Sequence, residues 1–414
     1  MQSYEIFTFI ICLAALFTYI NHRYLKWTPT IGIMALSLFT SLIVLIINHF
    51  FPGGTKPLTG IIASIDFHSL LMKCMLGFLL FAGSIHIDAR ILRMERMPIL
   101  ILSTVGILIS TFLIGSLLYI LLYLFHFNIA YIYCLLFAAL ISPTDPIAVL
   151  AILKQAGIVK SLEMKIAGES LFNDGVAVVV FLTILEVAQK GMEHLSVPDV
   201  SLLFIREAGG GMAYGILLGY AGHYALKSVH KYEVEILITL AIVMGGYQLA
   251  DAMMISGPLA MVVAGIIIGS KRNAEGGHEN NTDYVFQFWG LIDELLNALL
   301  FMLVGFEMLV INYNWSIMLI SLLCIGLALA ARWVSVAIPV SLMRRKIRFE
   351  KHAIAILTWG GLRGGLSVAL ALSLPVEMHR ELFVPITYMI VVFSILVQGL
   401  TIGKYYKSLT KKSH

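Results

Sequence analysis

The amino-acid sequence predicts an all-α polytopic membrane protein with about 13 transmembrane helices. Three observations lead there. Apolar runs of about 20 residues, the length that spans a bilayer's hydrocarbon core, recur from end to end. Positive charge is strongly sided between alternate loops. Two helix-breaking motifs stand at matching places in the two halves of the chain. With 59% hydrophobic and 13% charged residues, the composition excludes an ordinary soluble domain. The net charge of +4 is accounted for by loop lysines and arginines and calls for no nucleic-acid partner. The four cysteines, Cys12, Cys74, Cys134 and Cys324, lie in apolar runs without metal-ligand spacing and are expected to be small buried hydrophobes.

The apolar spans fall near 4–21, 29–49, 67–85, 98–124, 129–152, 164–187, 203–226, 234–251, 256–270, 286–310, 315–343, 352–374 and 383–404. The first has no basic residue before it, while Arg23 and Lys26 follow, so it is expected to be a retained helix rather than a cleavable leader. Taking alternate loops from Arg23 onward as cytoplasmic places 21 of the 28 Lys and Arg on one side. These include Arg90, Arg93 and Arg96, then Lys154, Lys160 and Lys165, and the cluster Arg344 to Lys351. Lys56, Lys73, Lys190, Arg206 and Arg380 fall on the other side. The bias predicts an odd number of spans, N-terminus outside and C-terminus inside. The longest polar stretch, 270–284, is expected to be a cytoplasmic connector.

An odd count fits two six-helix repeats of inverted topology joined by span 7, an arrangement common in secondary transporters, whose sites lie at helices broken near the midplane. Span 5 carries "ISPTDPIAVL", 141–150, and span 12 carries "TWGGLRGGLSV", 358–368; each is the fifth of its half. Pro143 and Pro146 each remove a backbone donor and are expected to unwind about a turn around Thr144 and Asp145. A plain proline kink with Asp145 as a helix cap is the simpler alternative. Four glycines surround Arg363 in span 12.

Span 6 contains Glu169, Ser170, Asn173 and Asp174, which at about 100° per residue share one helix face. Ionisable groups at membrane depth are costly and mark functional sites. Arg332 in span 11 keeps its proton and needs an anion. Glu169 and Asp174 are the natural partners; we expect Glu169–Arg332 as the ion pair, which leaves Asp174 free to exchange ligands. Arg363 is expected to balance Asp145 or the carbonyl ends of a half-helix. A hard cation such as Na⁺ takes oxygen ligands, and Asp174, Ser170 and Thr144 with nearby carbonyls supply them without sulfur or imidazole. One carboxylate holds a proton or a cation, not both well, and that competition is the core of ion exchange.

The segments "SPTDPIAV", "GESLFNDGVAVVVF", "FWGLIDELLNALLFMLVGFEM" and "WGGLRGGLSVALALSLP" resemble, in order and spacing, the sodium/proton exchanger-like branch of monovalent cation:proton antiporters, the NhaP type. The resemblance covers nearly the whole chain. It implies a homodimer in the bacterial plasma membrane, with thirteen helices and no cofactor beyond the transported Na⁺ and H⁺. A dimerisation part would comprise 1–97 (spans 1–3) and 191–312 (spans 7–10). A moving core would comprise 98–190 (spans 4–6) and 313–414 (spans 11–13 and the tail). It implies Na⁺ at Asp174, helped by Ser170 and Thr144, with Asp145 at the helix crossover and Glu169 paired to Arg332. Asn173 takes the place of a second aspartate in electrogenic relatives, which implies electroneutral 1:1 exchange. The alternatives are a K⁺-preferring antiporter of the same fold, a channel, or an intramembrane aspartyl hydrolase using Asp145 and Asp174. The sequence also raises Asp88, Asp293 and Glu294 as lining an access funnel, against the simpler reading of solvated helix ends. It names His230, His278 and His352 as groups able to tune a pH response.

Overall fold

A computed structural model describes residues 3–51, 60, 67–191, 197–229, 231–274, 283–311, 314–347 and 349–411. Lys56, His230, His278, Arg348 and most of the 270–284 connector lie outside them. Among the described residues there is no strand; the one bridge joins Asp145 to Leu362.

Each predicted span coincides with a helix or a series of helical pieces. They run α1 (Ser3–Ile20), α2 (Pro29–Phe50), α3 (Leu70–Ile85), α4 (Arg96–Leu124), α5a (Tyr131–Ile141) and α5b (Ile147–Gln155), and α6 (Lys160–Lys190). After them come α7 (Val197–Lys227), α8 (Tyr232–Ala252), α9 (Gly257–Ala274), α10 (Tyr284–Glu307), α11 (Trp315–Met343), α12a (Ala353–Trp359) and α12b (Gly365–Leu372), and α13 (Arg380–Thr410). Among the described residues eight of these helices are long and apolar enough to cross a membrane. Several helices overrun the apolar spans, because backbone hydrogen bonding continues past the edge of hydropathy. α6 begins at Lys160 rather than near 164, and α7 at Val197 rather than near 203. A short helix, Ala89–Met94, occupies the expected 86–97 loop.

Local chemistry sets several ends. The Asp283 carboxylate accepts from the Val285 and Phe286 amides at the start of α10, and Asn314 Oδ1 accepts from Ile317 N at the start of α11. Arg272 at the end of α9 ties Asp283 to Glu235 on α8. α7 lies very close to α9 through small residues: a Cβ on Gly215 would stand 2.6 Å from the Ala260 carbonyl oxygen. Large apolar side chains such as Phe39, Leu217, Leu322 and Leu342 are exposed, as a lipid-facing surface requires.

Two expectations are corrected. Cys134 and Cys324 are buried, but Cys12 and Cys74 are exposed, because an apolar helix that meets a bilayer need not turn its small hydrophobes inward. Lys165, expected among loop charges, is 1% exposed inside the second turn of α6. Glu95 and Glu350 stand beside it at 3.4 and 3.1 Å, and it lies over the Phe349 ring. Paired, its charge tolerates burial.

The buried apolar side chains form two clusters. α5a and most of the buried side chains of α12b belong to one; α5b and α12a belong to the other. The two helix breaks therefore lie at the seam between them.

Candidate functional site

The break in α5 follows from its prolines. In a continuous helix the Ser142 carbonyl would accept from the N–H of residue 146, which is Pro146 and has none. The Arg363 guanidinium takes that role: Nη1 donates to the Ser142 carbonyl and, at 2.9 Å, to the Pro143 carbonyl. Its charge meets the negative end of α5a. Of the two roles foreseen for Arg363, the geometry is that of capping half-helix carbonyls.

Asp145 N donates to the Leu362 carbonyl at 2.8 Å, so the two unwound segments cross with a direct backbone bond. Asp145 Oδ1 accepts from Ile147 N at 3.0 Å and caps α5b. A Cβ on Gly364 would lie 2.6 Å from the Asp145 Cβ, which makes glycine necessary for this approach.

α6 braces the break. Asn173 Nδ2 donates to Thr144 Oγ1 at 2.8 Å, and Asn173 Oδ1 accepts from Thr144 N at 3.3 Å. The Ser170 hydroxyl donates to the Thr144 carbonyl. Ser170, Asn173 and Thr144 are all buried. Asp174, the next residue along α6, has no hydrogen-bond or ion-pair partner among the described residues and lies within electrostatic reach of Asp145. The chain thus holds Thr144, Ser170 and Asn173 rigid and leaves the Asp174 carboxylate unengaged.

Glu169 and Arg332 form a buried ion pair, Nη1 to Oε1 2.6 Å. Arg332 Nη2 also donates to the Leu357 carbonyl near the end of α12a at 3.3 Å. A Cβ on Gly361 would stand 2.6 Å from Arg332 Nε, so this glycine admits the guanidinium. Each half-helix that ends at the crossing therefore has an arginine at its C-terminal carbonyls: Arg363 for α5a, Arg332 for α12a.

Sequence reasoning missed a third contributor. Ser394 and Gln398 lie in a π-helical turn of α13, a local widening that often marks functional sites. Ser394 Oγ accepts from Arg363 N at 2.9 Å and donates to Gln398 Oε1 at 2.8 Å; Gln398 Nε2 donates to the Trp359 carbonyl at 3.1 Å. Two polar residues four apart in an otherwise oily span were the available signal. Ser142 was also passed over; its hydroxyl bonds the Ala138 carbonyl and faces Ser110 and Thr111 of α4. Among the described residues no three His, Cys, Asp or Glu side chains converge as a metal site would.

Comparison with known proteins agrees with this architecture. The transmembrane family of sodium/hydrogen exchangers matches residues 11–407. The chain is 47% identical over 399 residues to the Na(+)/H(+) antiporter NhaP of Pseudomonas aeruginosa, covering 95% of this chain and 94% of that one. It is 32% identical to the Na(+)/H(+) antiporter NhaH of Halobacillus aidingensis over 353 residues, 83% of this chain and 84% of the relative. The structure of the sodium proton antiporter MjNhaP1 from Methanocaldococcus jannaschii superposes with a TM-score of 0.73 at 19% identity, covering 99% of both chains, and so shares the fold. The family is one of transporters rather than enzymes, and by sequence over nearly its whole length this chain belongs to the sodium/hydrogen exchanger family.

Proposed function

We propose that this protein is a secondary active antiporter of the bacterial plasma membrane that exchanges Na⁺, or Li⁺ or K⁺, for H⁺. The unengaged Asp174 carboxylate carries the reading. It stands beside a braced oxygen cluster at the crossing of two broken helices. Na⁺ is held by Asp174 with Ser170 and Thr144; Asn173 braces Thr144, and Asp145, fixed as a cap, contributes its negative charge. The transported ions are substrates, and no resident cofactor is invoked.

Stoichiometry follows from charge. At the crossing the Glu169 charge is taken up by Arg332, and Arg363 is engaged by the carbonyls of α5a, which leaves Asp174 as the carboxylate that exchanges ligands. That single carboxylate is neutralised by either one Na⁺ or one H⁺. Asn173 adds no further charge. One cation moves against one proton, and exchange is electroneutral. Alternating access moves a core of 98–190 and 313–414 against 1–97 and 191–312, in a thirteen-helix chain with the N-terminus outside, built as inverted repeats. The pairing of α5a with most of α12b in one apolar cluster, and of α5b with α12a in the other, supports the inverted repeats; assembly as a homodimer belongs to the same proposal.

Asp174→Asn tests the reading. In everted vesicles it should abolish Na⁺-driven proton movement, by about 100-fold or more, while expression and oligomeric state are kept. Exchange at the wild-type rate by Asp174→Asn would sink it. A wild-type rate in proteoliposomes that changes strongly when valinomycin sets the membrane potential would refute the one-for-one stoichiometry.

A further inference from the structure

The motif "FWGLIDELLNALLFMLVGFEM" contributes nothing to the site described above, yet α10 touches the crossing. A Cβ on Gly365 would stand 2.7 Å from Leu300 Cγ, and neighbouring Gly364 packs on Asp145. One turn before Leu300 on α10 is Asn297, and one further turn before that is Asp293. At i, i+4 and i+7 these three share the face that meets the break. Asp293 is half-buried, and its charge registers at Asp145.

Asn297 is 4% exposed. Its Nδ2 donates to the Asp293 carbonyl at 2.8 Å and to Asp293 Oδ1 at 3.0 Å. Both partners are acceptors, which settles the orientation of the amide. Asn297 Oδ1 is left buried with no protein partner. Such an oxygen is costly to bury unless something donates to it or coordinates it. Next to it stands a carboxylate that no lysine or arginine neutralises among the described residues. Toward the helix ends His86, exposed at the end of α3, faces Asp293 and ties α3 to α10 through its Nε2 contact with the Phe286 carbonyl at 3.1 Å. A solvated helix end would leave the Asn297 oxygen in water; this one is buried.

We propose that Asp293 and Asn297 form a subsite on the cytoplasmic approach for a partly hydrated monovalent cation, from which the ion passes Asp145 to reach Asp174. The ligands are the Asp293 carboxylate and Asn297 Oδ1, an all-oxygen set suited to an alkali cation. The subsite lies on α10, across from the segment that carries Asp145, so it raises the local cation concentration where the final site becomes accessible. The inference rests on the cation-exchange function proposed above.

The test is Na⁺-dependent initial rates in proteoliposomes holding the full chain. Asp293→Asn should raise the apparent KM for Na⁺ by about fivefold, through loss of local charge focusing, with the maximal rate retained. Asn297→Ala should shift KM in the same direction, and Asp293→Glu, which keeps the charge, should restore it. An unchanged KM in a folded Asp293→Asn or Asn297→Ala, an equal rise in Asp293→Glu, or a loss of maximal rate at constant KM each overturns the subsite. Wild-type protein measured in parallel separates the two claims: exchange by the wild type with unchanged variants removes only the subsite. A wild type that exchanges no cation removes both.

Discussion

The two broken helices meet at one crossing, but they are broken by opposite means. α5 is interrupted by Pro143 and Pro146, which delete donors and so expose particular acceptors, among them the Ser142 carbonyl. α12 is interrupted around four glycines, which delete side chains and so make room. Into that room come Arg332 against Gly361, Asp145 against Gly364 and Leu300 against Gly365. The proline break makes polar groups available, and the glycine break lets their partners approach. The chemistry divides accordingly. Thr144 and Asp145 lie in the α5 break and Arg363 in the α12 break, while the backbone bond from Asp145 N to Leu362 O holds the two together. Neither motif alone specifies a site.

The most damaging way to separate the two sides is to break the ion pair that joins α6 to α11. Glu169→Gln or Arg332→Gln leaves a buried charge without its partner and should cost about 3–5 kcal/mol. That predicts a sharply lower melting temperature in detergent and low yield. The exchanged pair Glu169→Arg with Arg332→Glu should be more stable than either single reversal. If the double variant is no better, the pairing contributes nothing specific.

A smaller effect isolates the space made by glycine. Gly364→Ala puts a Cβ into Asp145 and should destabilise by about 1–3 kcal/mol through overpacking, with exchange lowered in proportion to the displacement of the Asp145 backbone. Gly326→Ala on α11 meets open space and should be neutral or slightly stabilising. Equal behaviour of the two glycines in a detergent melt would show that close approach at the crossing is unimportant.

Much of this was legible in the sequence because it rested on composition or on one-residue chemistry. Apolar length placed each span, and proline's missing donor placed the α5 break. The cost of a membrane-depth charge singled out Asp174, Glu169, Arg332 and Arg363. What was not legible depends on which residue faces which across separate helices. Asn173 was foreseen as a site residue, but its two bonds to Thr144 emerge only when α5 and α6 pack. Ser394 and Gln398 acquire a role because a π turn aims them at the α12 break. Lys165 was misplaced because charge statistics treat a lysine near a span end as solvated, and its acidic partners come from 70 residues before and 185 after.

That lysine supplies the smallest effect and a further contrast between the breaks. Lys165 lies one turn before Glu169 on α6 and reaches Glu350 in the segment leading to α12a, so the α12 side is fastened to α6 at a second level. Burial alone would raise the Glu350 carboxyl. A backbone hydrogen bond, the Lys165 hydrogen bonds to both carboxylate oxygens and the Lys165 charge outweigh it and hold the group below its ordinary 4.5. A carboxyl depressed on folding adds stability that is fully present above 4.5 and is lost as pH falls from there through the lower folded value. Partial exposure and screening keep the contribution under about 1 kcal/mol. Melting temperature in detergent, followed downward from neutral pH, should therefore decline slightly less steeply for Glu350→Gln than for the wild type, and only below about pH 4.5. Parallel profiles there would mean that the second fastening adds nothing, and that α12 is held to α6 through Arg332 alone.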